Sequence, residues 1–312
     1  MSKANVAIAI TAALAAAVVA VVAIAQAPAD ATYRGAKICK MCHSGLSGVS
    51  PAIVQAYDKS AHSKAFADAS ETPAAIVAEF PEGAPIKKEQ IKYVLGLGRT
   101  AQAYLDANQQ VLPAQWNVAD KKWEATAAVD GSKQCVGCHT TGYDVAAKTW
   151  AQPSVGCEAC HGPGSAHAGT GDKTKITNPK SLPKDRLAMV CGRCHSKGTD
   201  PTKTYAFPIK FRPGDDLSKV FVDAKPTTPG RNQQYSELVG SKHFGAGVIC
   251  TTCHDPHGVG TTQLLLRKPI TDLCLRCHAD KDMKTHAPNA PAGATCATCH
   301  MPGGVHTFKA PH

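Results

Sequence analysis

Aromatic side chains are scarce in this chain and make up 5% of its 312 residues. Glycine and proline are frequent, with 26 and 21 copies scattered along the sequence. A domain of this length normally buries a large apolar core, which a loop-rich chain with few aromatic residues is poorly suited to build. The composition therefore argues against an ordinary globular domain. It predicts short helices and irregular segments, with little sheet, packed around apolar groups that are not side chains.

Cysteine does not occur outside one repeated motif. Cys-x-x-Cys-His occurs seven times and uses all 14 cysteines. The copies are numbered here as sites 1 to 7 in chain order, and they occupy residues 39–43, 135–139, 157–161, 191–195, 250–254, 274–278 and 296–300. This motif is the attachment signal for c-type haem, in which two thiols bond to the porphyrin and the imidazole ligates the iron. We therefore predict seven covalently attached haems, which would supply these apolar groups.

Zinc knuckles, redox dithiols and structural disulfides also use Cys-x-x-Cys pairs. Four-cysteine zinc sites would leave one of the seven pairs over, and a dithiol oxidoreductase carries a single pair. A histidine after every pair favours haem. The predicted covalent ligands are Cys39, Cys42, Cys135, Cys138, Cys157, Cys160, Cys191, Cys194, Cys250, Cys253, Cys274, Cys277, Cys296 and Cys299. The predicted proximal iron ligands are His43, His139, His161, His195, His254, His278 and His300.

Seven further histidines remain once the motifs are set aside: His62, His167, His243, His257, His286, His306 and His312. A haem iron with two axial imidazoles needs one such residue, so the counts match. Methionine is a poor competitor because Met41 lies inside a motif, Met301 follows one directly and Met189 is two residues before another. We therefore predict these seven histidines as candidate distal ligands, although the terminal residue is prone to fray.

The N-terminus carries an apolar run over residues 6–25, after a short basic start. Ala23-Ile24-Ala25 matches the small-residue cleavage rule, so a signal peptide is the favoured interpretation of residues 1–25. The run is also long enough to be an uncleaved membrane anchor. Because haem is attached outside the cytoplasmic membrane, we expect a periplasmic or extracellular protein, with anchoring to the cytoplasmic membrane as the alternative.

The formal net charge of +10 would suit a nucleic-acid or membrane partner. The propionates of seven haems change this balance, because they bring the mature protein to about +2 when oxidised and about −5 when reduced. Most of the basic excess is then internal compensation. We expect redox proteins as electron donor and acceptor, with a quinol oxidase of the inner membrane as one candidate, and no nucleic-acid partner.

The spacing of the motifs divides the chain into two haem-binding parts. Sites 2 to 4 are close together, with site 1 upstream, and sites 5 to 7 form a second group. A stretch rich in proline, threonine and glycine near residues 225–231 marks the boundary, so we predict a tetrahaem domain over 26–224 and a trihaem segment over 225–312.

Residues 67–134 contain no cysteine or histidine and are predicted to form a small β-rich insertion between haems 1 and 2. The predicted strands lie at residues 91–95, 103–105, 111–112 and around Trp123. Upstream, Ser50-Pro51 predicts a helix start, with the helix running on through residues 52–69 and carrying His62. A similar phrase leads from Gln234 to His243. In both cases a helix would deliver a histidine towards a haem.

Several longer phrases resemble the cytochrome c-554 type of multihaem cytochrome, over roughly residues 33–200. They are Tyr33-Arg34-Gly35-Ala36-Lys37 with Ala61-His62-Ser63-Lys64-Ala65, Cys135-Val136-Gly137-Cys138-His139, and residues 155–164 around site 3. That family is tetrahaem, so haems 5 to 7 and the β-rich insertion depart from it. The resemblance implies stacked haem pairs, with His62 as sixth ligand at site 3 and His167 at site 1. It also implies a five-coordinate iron at site 2, open to nitric oxide or another small ligand.

Three functions are compatible with these patterns. An electron carrier, passing single electrons between respiratory partners, needs no catalytic residue. A reductase acting on nitric oxide, nitrogen oxyanions or a sulfur oxyanion would need an open iron, and the haem of His139 is the candidate. All seven motifs end in histidine rather than the lysine typical of pentahaem nitrite reductases. A third possibility is self-assembly into an extracellular filament, with His312 of one copy ligating a haem in the next.

Overall fold

Short helices carry most of the regular structure of the chain. The computed structural model describes residues 25–45, 51–96, 98, 100–225, 228, 230, 232–261, 263–281 and 283–309. No α-helix among them exceeds nine residues. The α-helices are α1 (Ala36–His43), α2 (Pro51–Lys59), α3 (Gly131–Gln134), α4 (Val136–His139), α5 (Cys157–His161), α6 (Ser165–Thr170), α7 (Lys184–Gly192), α8 (Gln234–Val239), α9 (Lys242–Gly245), α10 (Cys250–Cys253), α11 (Ile270–Leu275), α12 (Met283–His286) and α13 (Cys296–His300).

Irregular segments and single 3₁₀ turns connect these helices. The 3₁₀ helices are His62–Lys64, Pro73–Ala75, Lys88–Gln90, Lys173–Lys175, Pro179–Ser181, Leu217–Lys219, Gln263–Leu265 and Pro302–Gly304. The predicted fold class, mainly helical and irregular with little sheet, is confirmed. Within the described ranges no helix is long and apolar enough to cross a membrane. The predicted signal peptide or anchor lies outside them except for Ala25.

One antiparallel sheet dominates the β-structure. Its five strands follow sequence order as a meander: β1 (Phe66–Asp68), β2 (Tyr93–Leu95), β3 (Ala101–Leu105), β4 (Ala114–Asn117) and β5 (Lys122–Ala125). Two small ribbons pair β6 (Thr140–Thr141) with β7 (Gln152–Pro153), and β8 (Gly198–Thr199) with β9 (Val222–Asp223). The large sheet lies between sites 1 and 2 in sequence, which confirms the predicted β-rich insertion.

The sheet has the alternating burial expected of strands with one packed face. Ala114 and Trp116 of β4 are buried while Gln115 and Asn117 are partly exposed. Trp116 lies directly opposite Trp123 across the β4–β5 ladder, with ring centroids 5.3 Å apart. Such aromatic cross-strand pairs stabilise an antiparallel sheet. All three tryptophans of the chain pack in the two apolar clusters at the sheet.

Two sequence-based boundaries are wrong. The helix predicted over residues 52–69 ends at Lys59, because the Ser63 hydroxyl donates to the carbonyls of Asp58 and Ser60 and closes the last turn. His62 consequently lies in a 3₁₀ turn, and Phe66–Asp68 form a strand that was not predicted. The strand predicted at residues 111–112 is a single bridge between Val111 and Leu105. Proline at 113 has no N–H for a ladder, and β4 starts after it.

Candidate haem-binding sites

The attachment motifs lie on single helical turns. Cysteines at positions i and i+3 and histidine at i+4 share one face of a helix, so both thiols and the imidazole point to the same side. The turn is closed by a backbone hydrogen bond from the histidine N–H to the first cysteine carbonyl, at 3.2 Å in site 2 and 2.9 Å in site 5. All 14 cysteines lie in the described residues and none forms a disulfide.

Six of the seven motif histidines face one of the additional histidines. The ring centroids are 6.0–6.3 Å apart in every pair. The pairs are His43–His167, His161–His257, His195–His62, His254–His306, His278–His243 and His300–His286. The candidate distal ligands other than His312 are therefore each brought to a different attachment site.

The spacing of these pairs fits an iron atom between the two rings. A metal–imidazole bond is about 2 Å, so two imidazoles bound across one metal have centroids about 6 Å apart. Rings in direct contact would lie closer, as His243 does to Phe308 at 4.2 Å. The constant separation, repeated at six places in unrelated local folds, indicates that the pairs are built to hold a ligand between them.

Hydrogen bonds orient the rings on both sides. The proximal His161 donates from Nδ1 to the Thr177 carbonyl at 2.9 Å, and the distal His167 donates to the Asp172 carbonyl at 3.0 Å. His254 and His306 make the same type of bond, to the carbonyls of Leu264 and Gly304 at 3.0 and 2.7 Å. An imidazole that donates from Nδ1 leaves its Nε2 lone pair for a metal. This fixes the tautomer that a haem ligand requires.

Burial lowers the pKa of several of the paired imidazoles. Burial, with the neighbouring His195 imidazole, lowers the pKa of His62 to about 4, although a hydrogen bond to the Pro256 carbonyl opposes this. Burial is likewise the main cause that lowers the pKa of other members of the pairs: His43, His161, His243, His254 and His306. A neutral imidazole is the form that binds metal. Five of the six pairs contain at least one imidazole whose burial favours this form, and all six have the spacing that suits a haem iron.

The pairing differs from the one implied by the family resemblance at one site. His167 faces His43 as expected. His62, however, faces His195 of site 4, and the ring opposite His161 of site 3 is His257. The resemblance to a tetrahaem family could not indicate this, because His257 lies beyond residue 225, in the predicted trihaem segment.

Site 2 differs from the other six sites. Its His139 donates from Nδ1 to the Ala65 carbonyl at 3.0 Å, so its orientation is fixed like that of the other proximal histidines. Within the described part of the chain, no ring contact joins His139 to a second imidazole. The remaining candidate, His312, lies outside the described residues.

Thiols of different sites also touch. Hydrogen-bonded contacts link sites 1 and 3, 2 and 4, 4 and 5, and 6 and 7, through Cys39–Cys157, Cys138–Cys194, Cys191–Cys250 and Cys274–Cys296. Longer electrostatic contacts link sites 3 and 4 through Cys160 and Cys194, and sites 5 and 6 through Cys253 and Cys277. The attachment sites are thus packed against one another rather than dispersed.

Two buried polar residues near these thiols were not singled out from the sequence. Arg193, inside site 4, donates to the Ala159 carbonyl at 3.2 Å, while its Nε is buried with no partner among the described atoms. A haem propionate would be a suitable acceptor for it. Glu158, inside site 3, accepts backbone N–H groups from Arg34, Gly35 and Gly164 at 2.6–3.0 Å. Only their position within Cys-x-x-Cys could have drawn attention to them.

Family models match the chain at two places. The model described as cytochrome c554 and c-prime matches residues 99–162, and the doubled CXXCH motif matches residues 243–283. Among curated proteins, the multihaem cytochrome MtrA of Shewanella baltica is 28% identical over 200 residues. That match covers 54% of this chain and 60% of MtrA. The dissimilatory sulfite reductase MccA of Wolinella succinogenes is 33% identical over 107 residues, covering 34% of this chain and 13% of MccA.

Solved structures share the fold over most of the chain. The outer cell wall cytochrome OcwA superposes with a TM-score of 0.72 at 24% identity, covering 89% of this chain and 79% of OcwA. An undecahaem cytochrome from the S-layer of Carboxydothermus ferrireducens gives a TM-score of 0.56 at 22% identity. That match covers 91% of this chain and 53% of the undecahaem cytochrome. The attachment motifs, the paired imidazoles and these similarities together identify the chain as a multihaem c-type cytochrome.

Proposed function

We propose that this chain is an exported heptahaem cytochrome that transfers single electrons between redox partners. The observation that carries the proposal is the set of six imidazole pairs with 6.0–6.3 Å separations. Two imidazoles that held one haem iron between them would leave no position on it for a substrate, which suits a carrier rather than a catalyst. Similarity to a protein named as a multihaem cytochrome, MtrA, and to the cytochrome OcwA supports the same class.

Covalently bound haem supplies a one-electron couple whose potential depends on its axial ligands and surroundings. The residues of this chain would set those conditions. Each Cys-x-x-Cys pair would tie the porphyrin edge to one helical turn, and each backbone carbonyl at a Nδ1 atom would hold an imidazole in one orientation. Ligand atoms that are already fixed need little rearrangement when the charge of the iron changes.

Haem content and ligation are tested on the intact holoprotein by mass spectrometry and by electron paramagnetic resonance of the oxidised form. We expect seven covalent haems, with at least six of the irons low-spin. Replacing both site 7 cysteines, Cys296→Ser with Cys299→Ser, should lower the attached haem count by one. Fewer than seven haems in the parent protein, or a majority of high-spin irons, would overturn the proposal.

Site 2 supports a second candidate function, reduction of a small molecule such as nitric oxide, a nitrogen oxyanion or a sulfur oxyanion. The specific observation is that His139 has no facing imidazole among the described residues, unlike the other six proximal histidines. MccA, which matches a third of this chain, is named a sulfite reductase. A high-spin signal amounting to one haem, abolished by nitric oxide, would favour this function, whereas seven low-spin irons would exclude it.

Export and a two-part organisation belong to the same proposal. Residues 1–25 would direct export, residues 26–224 would hold four haems and residues 225–312 three. The two family models match on opposite sides of residue 225, which supports this division. N-terminal sequencing of the protein isolated from the periplasm tests the first part, since cleavage predicts a chain that begins at Gln26, whereas an anchor would retain residues 6–25.

A further inference from the structure

The contacts between thiols carry information about the order of the haems. In c-type attachment each cysteine sulfur is bonded to the porphyrin rim, so two sulfurs in contact bring two porphyrin edges together. The order of contacts between sites therefore gives the order of the cofactors that they would hold. This order is not the order of the motifs along the chain.

The contacts form a line with sites 1 and 7 at its ends. Site 1 meets site 3 through Cys39 and Cys157, and their helices α1 and α5 pack together. Site 3 meets site 4 beside Cys160, where the Arg193 guanidinium of site 4 donates to the Ala159 carbonyl of site 3 at 3.2 Å. Site 4 then meets site 5 through Cys191 and Cys250.

Beyond site 5 the line continues into the C-terminal segment. Cys253 of site 5 lies near Cys277 of site 6. Cys274 of site 6 is hydrogen-bonded to Cys296 of site 7, and helices α11 and α13 pack together. The line from site 1 to site 7 is therefore continuous without site 2.

Site 2 joins this line from the side. Its Cys138 contacts Cys194 of site 4, and a thiol of each motif lies next to a backbone carbonyl of the other. The Cys138 Sγ lies 3.7 Å from the Arg193 carbonyl, and the Cys194 Sγ lies 3.8 Å from the Cys138 carbonyl. Site 4 is thus in contact with three other sites.

The site 2 motif also packs against the sheet and against Phe207. Val136 of the site 2 motif is fully buried in a cluster with Phe66, Leu105 and other residues at the sheet. Gly137 is in direct contact with the Phe207 ring, where an added Cβ would come within 2.3 Å. The sheet and Phe207 therefore occupy space in which a further haem would otherwise lie against site 2.

We propose that the seven sites form one path in the order 1, 3, 4, 5, 6, 7, with site 2 attached to site 4 as a side branch. The proposal rests on haem being bound at all seven sites. Electrons moving between the two ends would pass site 2 without entering it, and site 4 would be the branching point. The sheet would serve as the cover that closes this branch.

Protein-film voltammetry of the holoprotein, tethered at the site 7 end, tests the order. Asn289 is exposed and lies between the two site 7 histidines in sequence, so Asn289→Cys gives an attachment point there. The natural thiols would all be thioethers, and the new thiol alone would react with a maleimide electrode. The measured quantity is the charge exchanged per protein, with haem content determined first by mass spectrometry.

The parent should exchange seven electrons. Loss of haem 2, by Cys135→Ser with Cys138→Ser, should leave six, whereas a path through the motifs in chain order would leave five. Loss of haem 4, by Cys191→Ser with Cys194→Ser, should leave three. Loss of haem 3, by Cys157→Ser with Cys160→Ser, should leave five exchangeable electrons. This variant replaces the site 4 variant as the test if the latter does not fold.

Two kinds of failure are distinguishable. A parent protein with fewer than seven attached haems would contradict the proposed function. Seven haems, with loss of more than one electron on removal of haem 2, would overturn the proposed branch while leaving the carrier function intact. The same is true if the haem 3 variant retains four electrons instead of five.

Discussion

The His257 imidazole lies parallel to that of His161, with ring centroids 6.1 Å apart and planes inclined by 17°. The two residues belong to different predicted haem-binding parts of the chain. A carboxylate oxygen of Asp255 lies 3.7 Å from the Nδ1 atom of His257. His62, which precedes both in sequence, faces His195 instead. The C-terminal segment therefore brings a candidate ligand side chain to a site in the N-terminal part.

Removing this side chain should convert one iron to the high-spin state. In His257→Ala, site 3 keeps His161 but loses the facing imidazole, so we expect about one additional high-spin ferric haem per protein. Electron paramagnetic resonance measures this change, and added imidazole should reverse it. The double variant His62→Ala with His257→Ala should give two such irons. A single high-spin iron in the double variant would contradict the observed pairing.

A methyl group at position 137 should destabilise site 2. The Cβ of Gly137→Ala would lie 2.3 Å from the Phe207 ring, and overpacking of this kind costs about 1–3 kcal/mol. Guanidinium denaturation followed by circular dichroism should show a lower midpoint. Gly169→Ala is the matched control, because its Cβ meets nothing within 4 Å and alanine favours the helix in which it lies. Equal midpoints for the two variants would refute the prediction.

The buried Glu158 side chain should be needed as an acceptor of backbone hydrogen bonds. Glu158→Gln places an amide NH₂ opposite backbone N–H groups of Arg34, Gly35 or Gly164. Losing a hydrogen bond to a charged group and leaving a buried donor without a partner costs about 2–3 kcal/mol. Denaturation midpoints measure the loss. Glu82→Gln, at an exposed position, should leave the midpoint unchanged. If Glu158→Gln also left the midpoint unchanged, this role would be ruled out.

Asp200 should make stability depend on acidic pH. Burial raises the pKa of this carboxyl, but hydrogen bonds from Thr202, Thr204 and Tyr205 outweigh it, and the pKa lies below its ordinary value of 3.8. A lowered folded-state pKa stabilises the fold above the unfolded value, and this contribution is lost as pH falls through the folded one.

Asp200→Asn should therefore reduce the urea midpoint at pH 7, and the difference from the parent should shrink at about pH 2. Asp30→Asn, at an exposed position, is the control and should change neither midpoint. An equal difference at both pH values would mean that the carboxylate charge is not involved.

The attachment turns were predictable from sequence because all their chemistry is local. Two thiols and an imidazole at i, i+3 and i+4 need only one turn of helix to converge, and His139 or His161 requires no distant partner for this. The set of distal candidates was also accessible from the sequence, since six of the seven spare histidines lie in pairs. Their pairing was not, because His257 reaches site 3 through the packing of separate segments.

The location of the sheet was predictable from the sequence, but the bounds of its first strand were not. Runs such as residues 91–95 have strand-type composition, and β2 was found there. Phe66 falls within the helix predicted over residues 52–69, which contain few helix breakers, whereas the Ser63 hydroxyl closes the last turn of α2 at Lys59. The carbonyls of Ala65 and Thr177 that orient motif histidines had no sequence signal, because any residue carries a carbonyl.

The position of His257 opposite His161 also has a consequence for biogenesis. A chain that emerges from its N-terminus presents Cys157 and His161 long before His257. Haem joined at site 3 would remain ligated on one side until the later segment arrives. Truncation before residue 257 would therefore damage an N-terminal haem, and a nascent chain would expose a reactive iron for as long as its completion is delayed.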